Sequence, residues 1–193
     1  MTDPLPPGST IGILGGGQLG RMLALAAAPL GLKVLIFDPD AKAPAAQVSA
    51  GHVAAAYDDA AALAEFAARV DVVTYEFENI PTGALDLLES KLPIRPGRQA
   101  LAISQDRLSE KTWLQENGAR VAPFADIRSE ADLAAALERI GAPAILKTRR
   151  FGYDGKGQVR LTGPRDAAQA WAAIGGAPAV LEGFVAFDCE ISV

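Results

Sequence analysis

Several residue types that catalysis often relies on are nearly missing from this sequence. Its 193 residues include a single histidine, His52, and a single cysteine, Cys189. One cysteine cannot form an internal disulfide, and one histidine with one cysteine cannot supply a zinc site. Because no second histidine could serve Cys189 as a base, we interpret Cys189 as a small buried core residue and His52 as structural or superficial. With His52 interpreted in this way, a Ser-His-Asp mechanism is not expected either.

The sequence also lacks an excess of positive charge and any long apolar run. A net charge of -5 and a pI near 4.9 give no basic surface for a nucleic acid or an anionic membrane. The first ten residues lack the basic and apolar regions of a signal peptide, and no apolar stretch approaches the roughly 20 residues that span a bilayer. We therefore expect a cytoplasmic protein whose partners are small molecules.

What is present is apolar material in short, regularly spaced stretches. Half of the residues are hydrophobic, which is enough for at least one substantial core. Apolar strands alternate with helices in a βαβ order, which predicts an α/β fold with a Rossmann-like parallel sheet covered on both faces. The predicted elements are strands at 10–14, 33–37 and 70–75, helices at 18–30, 59–69 and 82–92, and a short strand at Ile94.

The pattern changes near residue 97, where we place a boundary between a first domain, 1–96, and a second, 97–193. The second part predicts an incomplete α+β domain, because its last segment resembles a strand that is cut short. A Ser129-x-x-Asp132 sequence resembles a capping box at the start of one helix. The predicted elements are helices at 104–117, 129–140 and 165–174, strands at 124–127, 144–147, 158–161 and 179–182, and a segment at 189–193.

A first glycine motif, GGGQLG at 15–20, lies between the first strand and the first helix. This is the context of a dinucleotide fingerprint, and Asp38 ends the next strand at the distance where a ribose would be held. The alternative is a tight turn whose glycines only let strand and helix pack closely. Gln18 in the loop and Glu76 after the third strand could share a ligand crevice with Asp38.

A second glycine motif follows Lys147, which ends a predicted strand. The loop GYDGKGQ at 152–158 contains three glycines and Lys156, a combination suited to a triphosphate because backbone amides and compact cations can both approach it. The spacing is not that of a Walker A loop. The alternative is a β-hairpin that turns at Asp154-Gly155.

Together these motifs resemble one family, and the resemblance covers essentially the whole chain. Its residues are GGGQLGRM at 15–22, YEFENIP at 75–81, DRLSEK at 106–111, KTRR at 147–150, GYDGKGQ at 152–158, and the acids Glu182 and Glu190. This set is similar to the ATP-grasp family, and within it to the ligases that carboxylate a ribonucleotide. The resemblance implies ATP-dependent carboxylation of 5-aminoimidazole ribonucleotide by bicarbonate. The products would be 5-(carboxyamino)imidazole ribonucleotide, ADP and phosphate, in de novo purine biosynthesis.

The resemblance also implies ligand sites, although it assigns no catalytic side chain. The residues implied for ATP are Arg107, Lys147, Gly152, Tyr153, Asp154, Gly155, Lys156, Gly157, Gln158, Glu182, Gly183, Phe184, Val185 and Glu190. Those implied for the aminoimidazole ribonucleotide are Gln18, Glu76, Tyr153 and Asp154. The Mg²⁺ ligands and a further domain would lie beyond Val193. We therefore expect an N-terminal fragment with little activity alone, and the resemblance allows a homodimer of the longer enzyme.

Other functions stay open on the sequence. The loop at 15–20 would suit an NAD-dependent oxidoreductase, although such an enzyme has no use for Lys147 and the loop that follows it. Another ATP-grasp ligase or a transformylase would share the second motif. A nucleotide-binding or regulatory fragment without activity is a further alternative.

Overall fold

The computed structural model describes residues 4–152, 156–189 and 191. Four residues named above, Tyr153, Asp154, Gly155 and Glu190, lie outside this set. The chain forms two compact units, Met1–Ala102 and Ile103–Val193, which divide a few residues after the boundary that we predicted at 97. Within the described ranges, every helix is too short or too polar to cross a membrane.

The first unit is built on a parallel sheet of four strands in the order β3-β2-β1-β4. Its strands are β1 (Thr10–Leu14), β2 (Lys33–Phe37), β3 (Gly51–Val53) and β4 (Val72–Tyr75), and its helices are α1 (Gln18–Ala27), α2 (Ala60–Ala67) and α3 (Thr82–Glu89), with 3-10 turns at Ala28–Leu30 and Pro44–Gln47. Ile94 adds a single parallel bridge to Val73. The predicted Rossmann-like sheet is therefore confirmed.

Apolar side chains cover both faces of this sheet. On one face Phe37, Phe66 and Leu85 belong to a buried cluster beneath α2 and α3, and on the other Ile13 and Ile36 pack with the alanines of α1. Gly12 leaves space for the Phe66 ring, because a Cβ at residue 12 would lie 2.6 Å from it. Two-sided burial explains why these strands are continuously apolar rather than alternating.

The second unit is a mixed α/β structure around an antiparallel sheet, in the strand order β5-β8-β6-β7. After α4 (Arg98–Ser104), which crosses the division, its elements are α5 (Arg107–Glu116), β5 (Phe124–Ile127), α6 (Glu130–Ile140), β6 (Ala144–Thr148), β7 (Gln158–Leu161), a 3-10 turn at Pro164–Asp166, α7 (Ala167–Ala173) and β8 (Ala179–Gly183). Leu133, Leu137, Leu146 and Leu181 lie in its core. The α+β prediction is confirmed.

The structure differs from the prediction in several details. The helix expected at 104–117 is α5 and begins only at Arg107, because the Asp106 carboxylate accepts hydrogen bonds from the amides of Leu108 and Ser109 and acts as its N-cap. The preceding helix, α4, was not predicted. Cys189 is exposed, so its assignment to the core was wrong. The Ser129 cap of α6 is confirmed, since its hydroxyl accepts from the amide of Asp132 at 3.1 Å.

Candidate functional site

In the first unit, amides of the glycine loop after β1 are hydrogen-bonded to carboxylates of the protein itself. Glu76 accepts hydrogen bonds from the amides of Gly17 and Gly20, both at 2.8 Å, and Asp38 accepts from the amide of Gly16 at 2.7 Å. Asp38 and Glu76 follow β2 and β4, the strands on either side of β1, so parallel topology brings their side chains to one edge. Three amides of this loop and of the start of α1, which would otherwise attract an external anion, therefore already donate to carboxylates of the protein.

The glycines of this loop are required by the approach of Glu76. Gly15 has φ +98°, a conformation that side chains other than glycine rarely adopt, and a Cβ there would lie 2.5 Å from Cγ of Glu76. A Cβ at Gly17 would lie 2.6 Å from Oε1 of Glu76. The motif therefore fits an internal carboxylate closely, and the bound pyrophosphate of an NAD site would have to displace it.

Asp38 is held by further polar contacts. The Tyr57 hydroxyl donates to Oδ2 of Asp38 at 3.2 Å, and His52 Nε2 lies 3.1 Å from the Asp38 carbonyl oxygen. Burial raises the pKa of the Tyr57 hydroxyl, and the negative charge of Asp38 adds to the effect. Tyr57 therefore stays protonated and donates, and the structural role that we predicted for His52 agrees with its contact.

Asp38 and Glu76 line a small cleft in the first unit, as the strand order predicted. The cleft has a volume of about 210 Å³ and is also lined by Asp40 and Phe77. Gln18, the third residue that we expected there, is exposed at the start of α1 and is not among the lining residues. The structure thus joins two of the three predicted side chains.

In the second unit, Lys147 is paired with Glu182. Lys147 lies on β6 and Glu182 on the adjacent strand β8, and the Lys147 ammonium donates to Oε2 of Glu182 at 3.0 Å. Lys111 of α5 approaches the other oxygen, Oε1, at 3.3 Å. The side chains of Lys111, Lys147 and Glu182 are 16%, 21% and 9% exposed, so this lysine pair, defined as Lys111 and Lys147, is largely shielded from water.

Arg107, the first residue of α5, lies beside the start of the second glycine loop. Its guanidinium donates to the Gly152 carbonyl at 2.8 Å, and its backbone amide donates to the Arg149 carbonyl at 3.0 Å. The Arg149 guanidinium contacts the Asp106 carboxylate at 2.8 Å and Asp126 at 3.4 Å. Burial alone would raise the pKa of Asp106, but Arg149 and the capped amides outweigh it and lower that pKa. Asp106 thus anchors both the helix and Arg149.

The second glycine loop joins two antiparallel neighbours, β6 and β7, in which Lys147 pairs with Gln158. It is therefore a hairpin connection, and this topology is compatible with a phosphate clamp. At its base the Thr148 amide donates to the Gly157 carbonyl at 2.8 Å, and a Cβ at Gly157 would lie 2.5 Å from the Thr148 hydroxyl oxygen. The predicted turn at Asp154-Gly155 lies outside the described residues.

The segment that ends β8 continues into half-exposed apolar residues. The amides of Gly183 and Phe184 donate to the carbonyls of Pro123 and Pro143, at 2.8 and 3.1 Å. The Arg160 guanidinium lies 4.8 Å from the centre of the Phe184 ring, within the range of a cation–π contact. Phe184 and Val185 are 44% and 49% exposed, so an apolar surface borders the end of the strand.

Lys111, the second lysine that contacts Glu182, is missing from the predicted site residues. It belongs to the DRLSEK motif at 106–111, and it lies four residues after Arg107 on α5. Residues four apart face the same side of a helix, so this spacing could have shown that Arg107 and Lys111 are neighbours. Its ion pair with Glu182 depends on tertiary packing and had no sequence signal.

Comparisons with known proteins agree with this fold. The family model of the ribonucleotide synthetase preATP-grasp domain matches residues 9–105, and that of the ATP-grasp domain matches residues 112–193. A relative, N5-carboxyaminoimidazole ribonucleotide synthase of Brucella melitensis, is 56% identical over 191 residues, which are 98% of this chain and 53% of the relative. The chain therefore spans about half the length of the curated relatives it matches.

Two solved structures show the same fold. An N5-carboxyaminoimidazole ribonucleotide synthetase in complex with ADP has a TM-score of 0.91 and 42% identity, covering 97% of this chain and 50% of that one. The Aspergillus clavatus enzyme in complex with ADP and 5-aminoimidazole ribonucleotide has a TM-score of 0.83 and 33% identity, covering 93% and 47%. The chain belongs to the ribonucleotide synthetase preATP-grasp family, and an ATP-grasp domain follows in its second half.

Proposed function

We propose that this protein uses ATP and bicarbonate to carboxylate 5-aminoimidazole ribonucleotide. The products are 5-(carboxyamino)imidazole ribonucleotide, ADP and phosphate, in purine biosynthesis. The observation that carries the proposal is the lysine pair on buried Glu182, together with Arg107, in a fold that matches a relative solved with ADP. The whole protein is thus proposed to be an ATP-dependent carbon–nitrogen ligase.

The charges of the second unit support binding of ATP phosphates. Arg107 and Lys147 would contact the phosphates, and Gly152, Lys156, Gly157 and Gln158 would close over them with the residues at 153–155. Arg107 already bonds the Gly152 carbonyl, so the cation and the start of the loop are adjacent. Backbone amides next to glycine can approach phosphate oxygens closely, which supports a clamp rather than a bare turn.

The end of β8 supports binding of the adenine. The amides of Gly183 and Phe184 are used by proline carbonyls, whereas that of Val185 donates to no acceptor among residues 4–152, 156–189 and 191. We propose that the Val185 amide and nearby carbonyls read the adenine edge, with Phe184 adding apolar surface. Glu182 would lie beside this site, and Glu190 would bind the ribose hydroxyls.

The first unit supports binding of the acceptor ribonucleotide through Glu76 and Gln18. Each oxygen of Glu76 accepts one amide and keeps a second lone pair, so the carboxylate can still accept from a hydroxyl or an amine. Gln18 is exposed and can donate and accept. Tyr153 and Asp154 stay predicted substrate contacts outside the described residues.

The proposed chemistry requires positioning more than a protein nucleophile. Bicarbonate is a poor electrophile, and transfer of the γ-phosphoryl group to it installs a leaving group, giving carboxyphosphate. The exocyclic amine then attacks the activated carbon and loses a proton, and phosphate leaves. Phosphoryl transfer depends mainly on alignment and charge stabilisation, which the cations described above can supply.

Mg²⁺ is part of the proposal because it accompanies ATP in phosphoryl transfer. Residues 4–152, 156–189 and 191 contain no group of three or more His, Cys, Asp or Glu side chains that could hold a metal ion. These residues alone do not fit a Mg²⁺ site, and we derive no step through the metal. We also propose that the protein acts in the cytoplasm and that the full-length protein forms a homodimer.

Substitution of Lys147 tests the proposed function. In the full-length protein, Lys147→Ala should lower ATP consumption that depends on aminoimidazole ribonucleotide and bicarbonate by about 100-fold, because a charge-assisted phosphate contact is lost. Lys91→Ala, at an exposed lysine, is the matched control and should leave the rate unchanged. Near-normal turnover of Lys147→Ala, or thermal stabilisation of the wild type by NADH but not by ATP with Mg²⁺, would contradict the proposal.

A further inference from the structure

Glu182 is a buried carboxylate with two cationic partners, one for each oxygen. The residue is 7% exposed, with Lys147 at 3.0 Å from Oε2 and Lys111 at 3.3 Å from Oε1. Within the described part of the chain Oε1 accepts no hydrogen bond, so Lys111 balances its charge by proximity alone. A buried carboxylate that loses its partners is strongly destabilised, which makes the second cation significant.

The charges of this cluster decide whether it can attract a phosphate. Lys147 and Glu182 alone would be a neutral pair, and a neutral pair offers a polyanion little net attraction. With Lys111 the cluster carries one net positive charge. Because all three side chains are shielded from water, this charge is screened less by salt than a surface charge would be.

Two of the three residues lie on strands of the sheet, and the third lies on a helix. Lys147 and Glu182 lie on adjacent strands, and the sheet fixes their distance. Lys111 comes from α5, which packs against β8 and carries Arg107 one turn earlier. A lysine side chain has a flexible four-carbon stem, so Lys147 can turn from Glu182 towards a ligand while Lys111 stays in contact with the carboxylate.

We propose that Lys111 is a positioning residue for nucleotide binding, which balances the charge of Glu182 so that Lys147 can serve the ATP phosphates. The inference rests on the proposed binding of ATP. Lys111 acts through Glu182 and does not itself contact the nucleotide. It therefore determines affinity for the phosphates and leaves affinity for the adenosine part unchanged.

The first test compares ATP with adenosine, by calorimetric titration of the full-length protein. Lys111→Met should weaken ATP binding by about 10-fold, because the charge of Glu182 then competes for Lys147, and should change adenosine binding by less than about twofold. Lys111→Arg should restore most of the ATP affinity. Lys91→Met is the matched control at an exposed lysine and should change neither ligand.

The second test is a double-mutant cycle with Glu182→Gln, which removes the negative charge. In that background Lys111→Met should weaken ATP binding by less than about threefold, since the competing charge is gone. An equal loss in both backgrounds would show that Lys111 acts directly on ATP and would overturn the inference. Equal losses for ATP and adenosine would show a purely structural role and would also overturn it.

The outcomes separate this inference from the proposed function. If the wild type binds neither ATP nor adenosine, the proposed function fails, and the inference fails with it. If the wild type binds ATP and Lys111→Met binds it equally well, only the inference fails. Lys111→Gln, which keeps a polar end, replaces Lys111→Met if the methionine variant does not fold.

Discussion

The two glycine loops differ in the side chains that surround them. The first loop, at 15–20, receives the carboxylates of Asp38 and Glu76, which accept from three of its amides. The second loop, after β6, has Arg107 at its start and the lysine pair nearby on Glu182. One loop is therefore closed by internal negative charge, and the other lies in a region of positive charge that suits an external anion.

This difference shows how a glycine motif should be interpreted. Glycines permit close approach, but they do not decide whether the approaching group is a ligand phosphate or a carboxylate of the same chain. At the first loop the acids come from the ends of the two flanking strands, which the strand order places beside it. The charge of the residues that follow neighbouring strands is therefore as informative as the glycine spacing.

The largest effect that tests this comparison is expected at Gly15. Gly15→Ala should lower the free energy of unfolding by about 3 kcal/mol, because the methyl group both strains a positive φ and overlaps Glu76. Urea denaturation measures the change. Gly118→Ala is the matched control, with φ +84° and open space around it, and should cost about 1 kcal/mol from strain alone. Equal losses would mean that Glu76 does not constrain the loop.

A smaller effect is expected when the internal carboxylate is removed. Glu76→Ala should lower the free energy of unfolding by about 2 kcal/mol, since two amides lose a charged acceptor. It should also create an anion site, so inorganic phosphate should raise the melting temperature of Glu76→Ala at matched ionic strength. The wild type and Glu78→Ala, at an exposed neighbour, should gain nothing. A similar gain in the wild type would show that the loop is open to anions already.

The smallest effect concerns the anchor of α5 in the second unit. Asparagine is also a good N-cap, so Asp106→Asn keeps the cap and removes the ion pair with Arg149, at a cost of about 1 kcal/mol at neutral pH. Because the folded pKa of Asp106 is lowered, its contribution is present above about pH 4 and is lost as pH falls through the folded value.

The pH dependence distinguishes charge from other causes. The stability difference between wild type and Asp106→Asn should shrink as denaturation is measured from neutral pH to below about pH 4. Asp58→Asn, at an exposed aspartate, should show no comparable difference at any pH. A difference for Asp106→Asn that is constant with pH would show that the ion pair with Arg149 is not its source.

Much of the fold was predictable because the sequence signals are local. The strands at 10–14 and 33–37 are largely apolar, and several helices begin at recognisable capping residues such as Asp59 and Ser129. The three-residue strand β3 was missed, since Gly51, His52 and Val53 are too few to show a pattern. Helix α4 was missed entirely, and the prediction starts α5 three residues early because it places the N-cap Asp106 inside the helix.

The sites were predictable in their residues but not in their contacts. Lys147 and Glu182 were named from separate motifs, and only the pairing of β6 with β8 shows that they meet. Glu76 is predicted to contact a ligand, whereas in the structure its carboxylate accepts hydrogen bonds from two amides of the same unit. Sequence spacing predicts no ion pair for Lys111, because its partner lies on a strand 71 residues later in the chain. Such long-range contacts depend on tertiary packing, which local patterns do not encode.

The carboxylates of Asp38 and Glu76 also couple parts of the first unit that are distant along the chain. Three strand ends are tied at one point, since the loop after β1 is bonded to the residues that follow β2 and β4. Local opening at any one of them breaks bonds to the others. The amide protons of Gly16, Gly17 and Gly20 should therefore exchange with solvent deuterium in one cooperative event, and this edge of the sheet behaves as a single folding unit.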